Sequence, residues 1–198
     1  MIHESHIDQS INELMAKFGP RLRVRPPASA AELAELESVA LHVPRALIIF
    51  LSTCNGFRLA TDGASGPFQL WGTNEILQSL RGDAGPGLIP VRGEPEGERD
   101  WVVAAAGPLQ DAVVRWNPCA PGAELLASSF DVYVQAYAAH LVECAGESRP
   151  RKRTPPRAFD AEHVRSFDPQ VRKLAARRDV RAWLHELDLQ VATGDDFE

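Results

Sequence analysis

The tightest constraint on the fold lies between Pro27 and Phe57, where two helices are written back to back, each with its own start and stop. Ser29 is a good N-cap, and Glu32 stands three residues on, where a capping box wants it. Leu33, Leu36, Val39 and Ala40 then recur at the spacing of one helical face. Pro44 follows Val43, and proline suits a first helical turn because its missing N–H has no partner to lose there. A second helix therefore starts near Pro44 and runs through Leu47, Ile48, Phe50 and Leu51. It ends at Asn55-Gly56, residues that reach the left-handed backbone a helix exit often needs.

At Phe57 the period changes. Short apolar runs broken by glycine and proline read as strands and turns. Strands are expected at Phe57–Leu59, Phe68–Trp71, Leu88–Val91, Trp101–Ala105 and Ala112–Trp116, with a short helix opening at Thr73 or Asn74. The last three strands have short connections, which favours an antiparallel meander. Asn117 to Gly122 reads as a loop, and Ser128 or Ser129 as the cap of a closing helix striped by Phe130, Tyr133, Val134, Tyr137, Ala138 and Leu141. Ahead of the helix pair, Ser10 can cap a helix carrying Ile11, Leu14, Met15 and Phe18, which Gly19-Pro20 stops. Helices lead, strands follow and a helix closes, a segregation that reads as α+β. The expected core is an antiparallel sheet of about five or six strands with helices packed on it.

Arg149 to Arg157 marks a boundary, because three prolines and five cations in nine residues cannot bury a core. The expected organisation is a domain over residues 1–148, a basic Pro-rich linker over 149–158 and a helical C-terminal extension over 159–198. Within the extension Asp160 can cap one helix, and Asp168-Pro169 is a cap and first turn for the next. Trp183 is expected to dock the extension onto the domain or into a homodimer.

Charge divides the chain the same way. Residues 1–148 hold 10 Lys+Arg against 18 Asp+Glu, a balance of −8, and residues 149–198 hold 11 against 9, a balance of +2, summing to the overall −6. An acidic body favours a positively charged partner and disfavours direct nucleic-acid binding. The basic linker has no interleaved aromatic residues for base stacking. No stretch reaches the apolar length of a membrane span, and Met1-Ile2-His3-Glu4-Ser5 does not open a signal peptide, so a cytoplasmic protein is expected. Cys54, Cys119 and Cys144 are odd in number and far apart, which argues against a disulfide framework or zinc site. The six histidines form no His-x-x-x-His pair. No phosphate-cradling loop or Gly-x-Ser-x-Gly turn is present, so neither a metal nor a cofactor is expected and no catalytic residue is nominated.

Read in order, Ala-Glu-Leu-Ala-Glu-Leu-Glu ending at Glu37, then Val43-Pro44, an apolar helix and Asn55-Gly56-Phe57 resemble the opening of the SUKH superfamily. Phe68-Gln69-Leu70-Trp71-Gly72-Thr73-Asn74-Glu75-Ile76, Leu88-Ile89-Pro90-Val91-Arg92-Gly93 and Val113-Val114-Arg115-Trp116-Asn117 are similar to its later segments and fall in its order. Asn117 stands where an acid is common. Ala127 to Val134 resembles its closing helix, and the resemblance stops at Glu147. The superfamily includes a fungal cell-wall-assembly regulator and many bacterial immunity proteins. The resemblance implies an antiparallel sheet with helices on it and a non-enzymatic immunity protein. Such a protein binds a cognate polymorphic or contact-dependent toxin, often a nuclease or other nucleic-acid-directed enzyme, and covers its active site.

The acidic turn supplies the expected contact face: Glu94, Glu96, Glu98 and Asp100, with Trp101 beside it and the loop residues Asp62 and Asp83. Its competing reading is a solvated hairpin tip. Two other functions stay open from sequence. One is a regulatory scaffold like the fungal members, whose extension recruits other proteins. The other is an enzyme whose site is dispersed along the chain and assembles in space.

Overall fold

The computed structural model describes residues 6–60, 68–81, 87–93, 99–117, 120–147, 159 and 161–192. Its order is α1 (His6–Phe18), β1 (Leu22–Val24), α2 (Ala30–Val39), α3 (Arg45–Thr53), β2 (Phe57–Leu59), β3 (Gln69–Leu70), α4 (Thr73–Leu80), β4 (Leu88–Gly93), β5 (Arg99–Val103), β6 (Val113–Asn117), β7 (Ala120–Ala127), α5 (Phe130–Glu147), α6 (Ala161–Phe167), α7 (Pro169–Ala176) and α8 (Arg178–Ala192). The class is α+β, as the sequence implies. The strands form two antiparallel sheets, β1-β2-β3 and β4-β5-β6-β7, where one sheet was expected. The Trp71 N–H donates to the Val91 carbonyl (2.9 Å) and stitches one to the other.

The helix pair forms as its sequence dictates. Ser29 caps α2 in a complete capping box with Glu32, and Pro44 is the N-cap of α3. Asn55-Gly56 ends the pair, with Gly56 at φ +85°. Three local readings change. Helix α1 begins at His6, so Ser10 lies inside it and its hydroxyl donates back to the His6 carbonyl (2.9 Å). Phase then puts Ile7, Ile11, Leu14 and Phe18 inside and leaves Met15 half exposed. Leu36 is the buried residue of α2, while Val39 faces out. The segment read as a loop from Asn117 becomes β7 by Ala120 and pairs antiparallel with β6, whose backbone groups would otherwise form an open edge.

The four-stranded sheet is apolar on both faces. One face, carrying Ile89, Val91, Val102, Val113 and Leu126, joins the core built with α1, α3, α5 and the small sheet. The other carries Leu88, Trp101, Val103, Val114, Trp116 and Leu125. Side chains alternate across a strand, so runs such as Trp101-Val102-Val103 feed both layers at once. The second face is covered by the C-terminal extension, whose Val171, Val180 and Leu187 are buried there and whose Trp183 and Leu184 pack at its margin. Burying each of those three side chains stabilises the docked state by about 1.5–3 kcal/mol.

Polar groups fix where the extension lands. Asp168 caps α7 through Oδ1 on the Gln170 N–H (3.0 Å), and its Oδ2 accepts from the Ser128 N–H (2.6 Å). Asp188 Oδ1 accepts from the Gly122 and Ala123 N–H groups (3.0 and 2.7 Å), closing part of the β7 edge. Strand edges need such partners or they invite pairing with another chain.

Candidate functional site

The start of α2, the exit of α3 and the start of α4 meet in one junction. Asn55 sits at its centre, nearly buried. Its Nδ2 donates to Thr73 Oγ1 (2.9 Å) and to Glu32 Oε1 (3.2 Å), and its Oδ1 accepts from the Thr73 N–H (2.7 Å). That last bond caps α4 from another element, so neither Thr73 nor Asn74 is the cap and Gly72 occupies the N-cap position. Glu75 reaches back to the Gly72 N–H (3.2 Å) and also pairs with Arg25. The backbones touch here. A Cβ on Gly72 would lie 2.2 Å from the Asn55 carbonyl oxygen, and one on Gly56 would lie 2.6 Å from the Gly72 nitrogen. The Ser29 N–H, the Ser29 hydroxyl and the Thr73 hydroxyl all donate to Glu32, and they hold its carboxyl below its ordinary range.

A second polar cluster lies inside the four-stranded sheet. Asp100 is fully buried and accepts on both oxygens: Arg115 Nε on Oδ1 (2.8 Å), and Arg92 Nη1 (2.9 Å) and the Tyr133 hydroxyl (2.6 Å) on Oδ2. Burial pushes the Asp100 carboxyl up, but the guanidiniums of Arg115 and Arg92 outweigh it and hold the group below its ordinary value. Tyr133 moves the other way, raised well above a free phenol by burial and by the adjacent carboxylate. The cluster also grips the extension. Arg115 Nη2 donates to the Phe159 carbonyl (3.0 Å), and the Arg92 guanidinium lies 5.8 Å from the Phe159 ring centre and 5.9 Å from that of Tyr137.

These positions correct part of the expected contact face. Asp100 belongs to β5, where it neutralises two arginines, and it offers no charge to a partner. Trp101 is likewise fully buried; its Nε1 donates to the Trp116 carbonyl (3.0 Å), and the two rings lie 5.7 Å apart. Both are fully buried, so neither lies on the surface this structure offers to another protein. Asp62, Asp83, Glu94, Glu96 and Glu98 lie outside the described residues. Residues 94–98 connect β4 to β5, whose ends pair Gly93 with Arg99.

Folding also joins residues that looked isolated. The His140 and His163 rings lie 5.0 Å apart against Phe159, with His163 Nδ1 3.7 Å from Glu143 Oε2. Their sequence separation hides this contact, which exists only because α6 returns along α5. Among the described residues no group of three His, Cys, Asp or Glu side chains is arranged to hold a metal. Burial pushes the Cys54 thiol up to about 12, so it sits in the core as a neutral apolar group and is a poor nucleophile. Among the described residues no helix is long and apolar enough to cross a membrane. The chain matches no protein-family model, and no curated protein matches it.

Proposed function

We propose that this chain is a non-enzymatic immunity protein that binds a cognate toxin and covers its active site. The observation that supports the reading is the junction at Asn55. Three stretches of the SUKH-like pattern, separated by up to 41 residues between Glu32 and Thr73, interlock there through side chains that use nearly all their hydrogen-bonding capacity. Side chains so fully engaged hold the backbone in place, which supports reading this part of the pattern as a scaffold for a binding surface. The acidic balance of residues 1–148 supports a basic partner. The regulatory-scaffold reading asks the extension to recruit other proteins, whereas its apolar face is committed to the chain's own sheet.

With Asp100 and Trp101 inside, the proposed contact face reduces to Glu94, Glu96 and Glu98 with Asp62 and Asp83. The test is to purify the tagged chain from its own cells, identify what accompanies it in stoichiometric amount, and titrate that protein's nucleic-acid-degrading activity with the chain. The expected result is activity falling to background at one equivalent, with association slowed by salt. A stoichiometric partner whose activity is unchanged, or no partner at all, contradicts the reading.

A further inference from the structure

We infer that the outer face of the small sheet is a second contact surface, of opposite sign to the body, that takes an extended acidic segment of another protein. Strands β1, β2 and β3 bury Leu22, Phe57, Leu59 and Leu70 on one side. On the other side Arg23 faces Arg58 directly across the β1–β2 pair, and Arg58 faces Gln69 across β2–β3. Both arginines are exposed, and Arg21 and Arg25 flank Arg23 at two-residue spacing, exposed as well. Arg25 is held by Glu75, whereas the Arg21, Arg23 and Arg58 guanidiniums take part in no ion pair with a carboxylate among the described residues.

Like charges set directly opposite on a sheet destabilise it. The solvent face of the sheet asks for polar side chains there, but it does not ask for the same charge on both sides of the pair in a chain of net charge −6. A ligand that neutralises both arginines does. Each guanidinium fork can take one carboxylate by two hydrogen bonds. Directly opposite residues have Cβ atoms about 5 Å apart, and alternate side chains on an extended chain repeat every ~6.7 Å. Carboxylates at alternate positions of a strand laid across β1 and β2 therefore reach both forks. The acidic body repels a long polyphosphate, which favours a short acidic peptide over nucleic acid. This inference does not rest on the toxin reading, and the two fail separately.

The test uses the full chain, a hexapeptide alternating glutamate and serine, and hexathymidylate, titrated by calorimetry at low salt. The peptide is expected to bind and hexathymidylate to bind more weakly. The double variant Arg23→Gln with Arg58→Gln is expected to lose at least tenfold in peptide affinity while its melting temperature rises by a few degrees, because the opposed charges are gone. Failure of the peptide to bind, equal affinity in the variant, tighter binding of hexathymidylate, or a fall in the variant's melting temperature each overturns the inference.

Discussion

Two polar junctions organise this molecule, and they are built by opposite rules. The one at Asn55 joins helix and strand ends near the surface with an amide, two hydroxyls and two carboxylates. The one at Asp100 joins the middle of three strands to α5 and Phe159 with a carboxylate between two guanidiniums, all buried. At the first, close backbone contact sets the geometry and the side chains fit around it. At the second, charge sets the geometry, since a buried ion left without its partner is far costlier than an unpaired amide. The first junction locks α2, the exit of α3 and α4 together. The second ties Phe159, at the start of the extension, to the sheet.

The two junctions differ most at Asp100. Asp100→Asn keeps the shape but leaves Arg92 and Arg115 charged and buried, and should cost about 3–5 kcal/mol in a denaturant melt at pH 7. The folded-state value of Asp100 is depressed, so its contribution is complete above the unfolded carboxylate range and is lost as pH falls through the lower folded value. The gap between wild type and variant should therefore close only in strong acid. Gly72→Ala attacks the other junction, forcing a Cβ into the Asn55 backbone, and should cost about 3 kcal/mol. Tyr133→Phe removes one hydrogen bond to a charged group and should cost about 1.5–3 kcal/mol. Ser29→Ala removes the α2 cap and an exposed hydrogen bond to Glu32 and should cost about 1 kcal/mol in the same melt. If the Ser29 variant lost more than the Asp100 variant, the contrast between a charge-set and a backbone-set junction would fail.

How far each region could be read in advance follows from the same contrast. The Asn55 junction is legible because caps, prolines and the Asn-Gly exit are local chemistry: Ser29, Pro44 and Gly56 each behave as their own neighbours dictate. Its assembly is not legible, since Asn55 capping α4 is a contact across 18 residues. The Asp100 cluster was hidden by pattern. Asp100 continues the alternation of Glu94, Glu96 and Glu98, so it reads as part of an acidic turn, yet β5 already begins at Arg99. The signal that could have found it is Arg115, a charged residue between Val114 and Trp116 in an apolar strand, where burial demands a carboxylate partner. Likewise the double-faced run Trp101-Val102-Val103 asks for a second apolar layer, which is where the extension lies. Strand β7 escaped because Pro121-Gly122 reads as a turn.

Buried charges keep the molecule together, and in the proposed function the surface charges make its contacts. The most direct measurement, on the proposed function, is the dissociation constant of whatever stoichiometric partner accompanies the chain from its own cells for four folded proteins: wild type, Asp100→Asn, Tyr133→Phe, and Glu94, Glu96 and Glu98 together changed to Lys. The two internal variants should bind within twofold of wild type, and the charge-reversed one at least tenfold more weakly. Unchanged affinity on charge reversal, with affinity lost in the internal variants, would contradict it.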